Sequence, residues 1–142
     1  MTSPFERFVA ILGAIACVLI TIILWSSINA YQTMWPLPGL YFFEMVALSI
    51  LSAIIFVRGD HHHRFITWGA AGAMSAFSIL GAFSVGFFYL PFALIIAVLS
   101  VISDVRNKQR ITAHWVSFLI GGIAQSFLML AALRLLDPGA IY

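Results

Sequence analysis

Long uncharged runs, broken only by short charged stretches, decide what this chain can become. Between Arg64 and Asp104 lie 39 consecutive residues, Phe65–Ser103, without a single charge. As one helix that run would extend to about 60 Å, roughly twice the hydrocarbon thickness of a bilayer. It must therefore turn back on itself. The segment Ser84-Val85-Gly86-Phe87-Phe88-Tyr89-Leu90-Pro91 offers the break. Gly86 permits a tight turn, and Pro91 suits the first turn of a new helix.

The same reading applied to the whole chain gives five spans, at roughly Phe8–Ala30, Pro38–Val57, Phe65–Phe83, Leu90–Asp104 and Trp115–Leu136. Composition agrees: 63% of the residues are apolar and 8% are charged, against about 45–50% and 25% in soluble domains. A water-soluble fold of this size would lack the polar surface to cover itself. The expected fold is an all-α integral membrane protein, a five-transmembrane-helix bundle forming one domain over residues 1–142. The apolar stretch Phe8–Trp25 outruns the roughly 7–15 residues of a signal-peptide core, so it reads as a retained membrane helix.

The basic residues supply the orientation. Arg7 precedes the first span, Arg58 and Arg64 bracket the second break, and Arg106, Lys108 and Arg110 fill the last. The connections Tyr31–Leu37 and Ser84–Tyr89 carry none. By the positive-inside rule the N-terminus is cytoplasmic and the C-terminus outside, in a bacterial-type plasma membrane. Arg134, near the outer end of the fifth span, is the exception. Tyr31, Trp35 and Tyr89 would mark the outer interface, and Trp68 and Trp115 the inner one.

In lipid, helices associate through close backbone approach and interhelical hydrogen bonds. The third span carries Gly69 with Ala73 and Gly72 with Ala76 at four-residue spacing, and Ala71, Ser75, Ser78 and Ala82 on another face. Small residues on several faces predict a central helix. The fifth span repeats the spacing with Gly121, Gln125 and Gly122, Ser126, the fourth with Ala93, Ala97, Ser100 and Asp104, and the first with Gly13, Cys17 and Thr21. Such stripes suit packing within the bundle; on the fifth or first span they could also form an oligomer seam.

Glu44 lies about two turns into the second span. A charge at the centre of a membrane helix costs roughly 2.5–3.5 kcal/mol, so a partner is expected even at this shallower depth. Arg134 should stand at a similar level and could pair with it. The other readings are an unpaired interfacial carboxylate and a transport or catalytic one. Gln125, mid-membrane, needs partners for its amide; Ser75, Ser78, Thr21 or a ligand could supply them. His61, His62 and His63 are consecutive and cannot all face one point. His61 and His63 with Asp60 and His114 are thus only weak metal candidates. Cys17, the one cysteine, reads as a small packing residue.

No haem-ligand pair, nucleophile triad or phosphate-binding loop is present. No cofactor is expected, and no basic patch suits nucleic acid. The expected function is that of a non-enzymatic membrane protein acting by assembly, as an accessory subunit or homo-oligomer. Its partners would be the lipid bilayer and other membrane chains or itself. The alternative is a small oligomeric ion- or proton-coupled transporter or channel using Glu44, with Gln125 along the path. A membrane enzyme on a lipid or quinone would require His114, Asp104 or the histidine loop to converge at the inner side.

Overall fold

The structure, a computed structural model, describes residues 2–29, 37–59, 64–82, 84–109 and 111–136. Among these residues the chain forms five α-helices: α1 Pro4–Asn29, α2 Leu37–Arg58, α3 Arg64–Leu80, α4 Leu90–Arg106 and α5 Ile111–Leu136. A 3-10 turn, Gly86–Tyr89, leads into α4. The architecture is an all-α, five-helix bundle. Four stretches, Pro4–Ile28, Pro38–Arg58, Gly86–Arg106 and Ile111–Ala132, are long and apolar enough to cross a membrane. Helix α3, at 17 residues, is shorter, about 25 Å.

Helix ends extend beyond the apolar spans because polar residues cap them. At the start of α1, the Ser3 hydroxyl accepts the Glu6 N–H at 3.2 Å, and the Glu6 carboxylate accepts the Ser3 N–H at 3.1 Å. This reciprocal capping box, with Pro4 in the first turn, starts the helix four residues ahead of Phe8. At the end of α4, Gln109 N–H bonds the Asp104 carbonyl at 3.0 Å and Lys108 N–H the Val105 carbonyl at 3.3 Å. Lys108 takes the left-handed conformation (φ 52°) that this termination requires.

The uncharged run does reverse. Helix α3 ends at Leu80, and the Gly86 N–H bonds back to the Gly81 carbonyl at 2.9 Å. A Cβ on Gly86 would lie 2.7 Å from Gly81 backbone atoms. Glycine is needed there because two backbone segments nearly touch. Pro91 falls in the first turn of α4. The expected end of the third span, Phe83, lies outside the described residues.

Helix α3 is central and packs against α2, α4, α5 and the 3-10 turn. Its small residues make that possible. A methyl group on Gly72 would overlap the Phe118 carbonyl, and one on Gly121 would overlap the Gly69 carbonyl. The paired glycine stripes therefore face each other across α3 and α5. The other half of the core joins α1 to α4 through Cys17, Phe42, Met45, Met74, Tyr89 and Ala93, all buried. Outward faces stay apolar: Phe8, Ile15 and Ile23 on α1, and Leu119, Ile123 and Phe127 on α5, are exposed. Apolar surface this continuous suits a lipid environment, where it carries no penalty.

Replacing Gly121 with leucine should separate α3 from α5. Overpacking of this kind costs about 1–3 kcal/mol. Cysteines placed at 76 and 122, where the two Cβ atoms would lie 3.9 Å apart, suit a disulfide; in an otherwise Cys-free chain they should crosslink readily, and adding Gly121→Leu should suppress the crosslink. Unchanged crosslinking would show that the helix contact does not depend on glycine.

Candidate functional site

Two polar constellations lie inside this apolar framework. The first occupies the basic end, where α1 and α3 begin, α2 and α4 end, and α5 starts. Asp104, in the last turn of α4, is fully buried, 0% exposed. Its Oδ2 accepts the Trp68 indole N–H at 2.8 Å and a hydrogen bond from His114 Nδ1 at 2.6 Å. Its Oδ1 faces Arg64 Nη1 at 3.4 Å. A carboxylate only accepts, so the short contact puts a proton on His114 Nδ1. One side chain thus joins α3, α4 and α5.

Glu6 lies beside it, also buried. Its Oε2 accepts from Arg106 Nη2 at 2.7 Å and from the Ser103 hydroxyl at 3.5 Å. That ties α1 to α4. Below this layer the Ser100 hydroxyl donates to Thr67 Oγ1 at 3.2 Å, joining α4 to α3 again. Glu6 Oε1, Arg64 Nη2 and Ser52 Oγ are buried with no hydrogen-bond partner among the described residues. Buried polar atoms are rarely left so, and a bound water is the usual occupant at such a place.

The second constellation lies within the apolar stretches of α2 and α5. Gln125 Nε2 on α5 donates to Glu44 Oε2 on α2 at 3.0 Å. Glu44 and Gln125 line a groove of about 560 Å³ between α2, α3 and α5, with Phe65, Ile66, Ile120 and Leu128 along its walls. The groove is open to the side and almost wholly apolar. Its length from Ser117 to Leu128 on α5 is about 16 Å at 1.5 Å per residue.

The ion pair expected between Glu44 and Arg134 does not form among the described residues. Glu44 stands level with Gln125, and Arg134 is nine residues further along α5, about 13.5 Å beyond. Arg134 is exposed. Gln125 bonds Glu44 rather than Ser75, Ser78 or Thr21. Thr21 instead shares a 2.8 Å hydrogen bond with the Tyr89 hydroxyl, and Ser78 bonds the Met74 carbonyl of its own helix.

His114 and Asp104 do converge, as a membrane enzyme would have required. They meet around a carboxylate whose two oxygens are already engaged, in an arrangement that fastens helices. Asp60, His61, His62 and His63 lie outside the described residues. Among the described residues no group of three or more His, Cys, Asp or Glu could hold a metal ion.

Sequence reasoning underestimated the basic-end network. Ser3-Pro4-Phe5-Glu6 carries a capping-box pattern that a first span drawn from Phe8 overlooked, and with it Glu6. Arg64, Asp104 and Arg106 read as loop charges because they flank apolar runs. That Arg64 and Asp104 turn inward, and that the exposed Arg106 reaches Glu6, depends on how α1, α3 and α4 pack. Compared with protein-family models, curated proteins and solved structures, the chain matches none.

Replacing Asp104 with asparagine should leave Arg64 buried without its countercharge. Losing one member of a buried pair typically costs about 3–5 kcal/mol. Unfolding in mixed detergent should register a loss of that order, and Val105→Ala, at an exposed position beside Asp104 in α4, should leave stability within about 0.5 kcal/mol of the parent. Equal stabilities of Asp104→Asn and the parent would mean the network does not hold the bundle.

Proposed function

We propose that this chain is a small membrane-embedded protein that moves a proton or small ion, with Glu44 as its working carboxylate. In this reading five helices cross the bilayer, the N-terminus is cytoplasmic, and the protein functions as a small oligomer in a bacterial-type plasma membrane. One observation carries the reading. Glu44 stands within an apolar helix, lines an open groove and, among the described residues, takes a hydrogen bond from a neutral amide. A carboxylate there without a fixed countercharge must acquire a cation or a proton to become stable in a medium of low polarity. That requirement is what an ion- or proton-coupled protein exploits.

The remaining structure supports the role indirectly. The network around Asp104 and Glu6 fastens four helices at one end. Along its length α5 packs chiefly on α3 and meets α2 through the Gln125–Glu44 and Tyr41–Met129 hydrogen bonds, so movement of α5 would change the setting of Gln125 and Glu44. The basic residues Arg58, Arg64, Arg106 and Lys108 all belong to the fastened end, in keeping with a cytoplasmic placement of it. Assembly as an accessory subunit is supported by the exposed apolar faces of α1 and α5, which lipid contact would equally produce.

Reconstitution into liposomes tests the reading. Proteoliposomes should dissipate an imposed pH or cation gradient faster than protein-free vesicles. Glu44→Gln should slow that flux by about tenfold or more while leaving the thermal unfolding of the protein unchanged. Flux that is indifferent to Glu44→Gln removes this carboxylate from the path.

A further inference from the structure

We infer that the groove beside Glu44 is a binding site for a lipophilic organic cation arriving from the bilayer. This rests on the proposed function in its proton-carrying form and adds a second cation that exchanges with the proton at Glu44. The argument begins with the charge. Glu44 meets Gln125 from α5, while α3 contributes Gly69, Ala70 and Ala73 to the groove. Tyr41, one turn earlier on α2, gives its hydroxyl to the Met129 carbonyl at 3.4 Å. Among the described residues no cationic side chain faces the carboxylate. Within the described residues Glu44 is thus left to be neutralised by a proton or by a cation that enters the groove.

Shape and polarity then choose among cations. A strongly hydrated inorganic ion needs several oxygen ligands to replace its water. The groove offers Glu44, the Gln125 amide and little else that is polar, set among Phe65, Ile66, Ile120 and Leu128. A cation that carries its own apolar surface has no such need. It can lay aromatic or aliphatic groups on the groove walls and place its charge against Glu44. A volume of about 560 Å³ falls within the roughly 300–1,000 Å³ of small-molecule sites.

The same geometry gives coupling. Glu44 can be neutralised by a proton or by the organic cation, so binding of one displaces the other. Release of the cation requires that a proton take its place, with the charge on the groove balanced at each step. Glycines 69 and 121, which bring α3 and α5 together, set the floor of the groove.

Equilibrium binding of tetraphenylphosphonium to the purified full chain in mild detergent tests this. The expected result is saturable binding that Glu44→Gln weakens by about tenfold or more and Glu44→Asp largely retains. Ala124→Phe, which fills the groove from an exposed wall position and leaves the charge in place, should weaken binding as well. It keeps the test decisive should Glu44→Gln fail to fold. The neutral analogue triphenylphosphine oxide should not bind saturably. Absence of saturable binding to the folded parent would overturn the inference, as would binding indifferent to both substitutions or equal binding of the neutral analogue. Glu44-dependent ion flux without tetraphenylphosphonium binding would overturn this site and leave the proposed function standing. Binding without any Glu44-dependent flux would support the site and remove the transport reading.

Discussion

A carboxylate with no exposed surface organises the basic end of this bundle. Asp104 can be buried only if donors surround it, because an ionised group away from water without partners is prohibitively unfavourable. Trp68, His114 and Arg64 meet that need from α3 and α5. Satisfying one group therefore sets the relative rotation of three helices. The Glu6–Arg106 pair adds α1 to the same layer. Pairs of this kind contribute less to net stability than to uniqueness, since an apolar replacement can be equally stable while a half-removed pair is not. In a bundle whose helices are apolar nearly all round, such polar contacts are what distinguish one arrangement from its competitors.

Close packing does the complementary work away from that layer. Without a hydrophobic force between helices in lipid, α3 and α5 hold together by surface contact, and that requires glycine where their backbones meet. The contact at Gly72 and Phe118, and at Gly69 and Gly121, brings α5 near enough to α2 for Gln125 to reach Glu44. The Glu44–Gln125 constellation is thus a consequence of the glycine contact. The two constellations differ in character. At the basic end carboxylates meet cationic side chains; among the described residues Glu44 meets a neutral amide.

Much of the architecture was legible from residue order. The uncharged Phe65–Ser103 run had to reverse, and it does so where Gly86 and Pro91 stand. The spacing of small residues marked α3 as the central helix. The Ser3–Glu6 capping pattern was equally present in the residue order, but a span counted from Phe8 passed over it. What was misjudged was the partner of Glu44. Arg134 was grouped with it at the outer end, but Gln125, fourteen residues into α5, is what meets Glu44, fourteen residues before the end of α2, and Arg134 lies beyond. The fate of Arg64, Asp104 and Arg106 was also hidden, because a charge at the end of an apolar run looks the same whether it faces water or a neighbouring helix.

The sequence by itself determined a helical, apolar chain with one obligatory reversal, and the approximate height of every polar residue along its own helix. Those properties follow from local chemistry: hydropathy, the 1.5 Å rise and the conformational limits of glycine and proline. Which polar residues meet was decided only by the tertiary structure. Neither the rotation of a helix about its axis nor the stagger between helices far apart in sequence is encoded by any short segment. Both emerge when backbones close on Gly72 and Gly121 and when donors converge on Asp104. Glu44 therefore owes its place beside Gln125, and its lack of a cation within the described residues, to that packing.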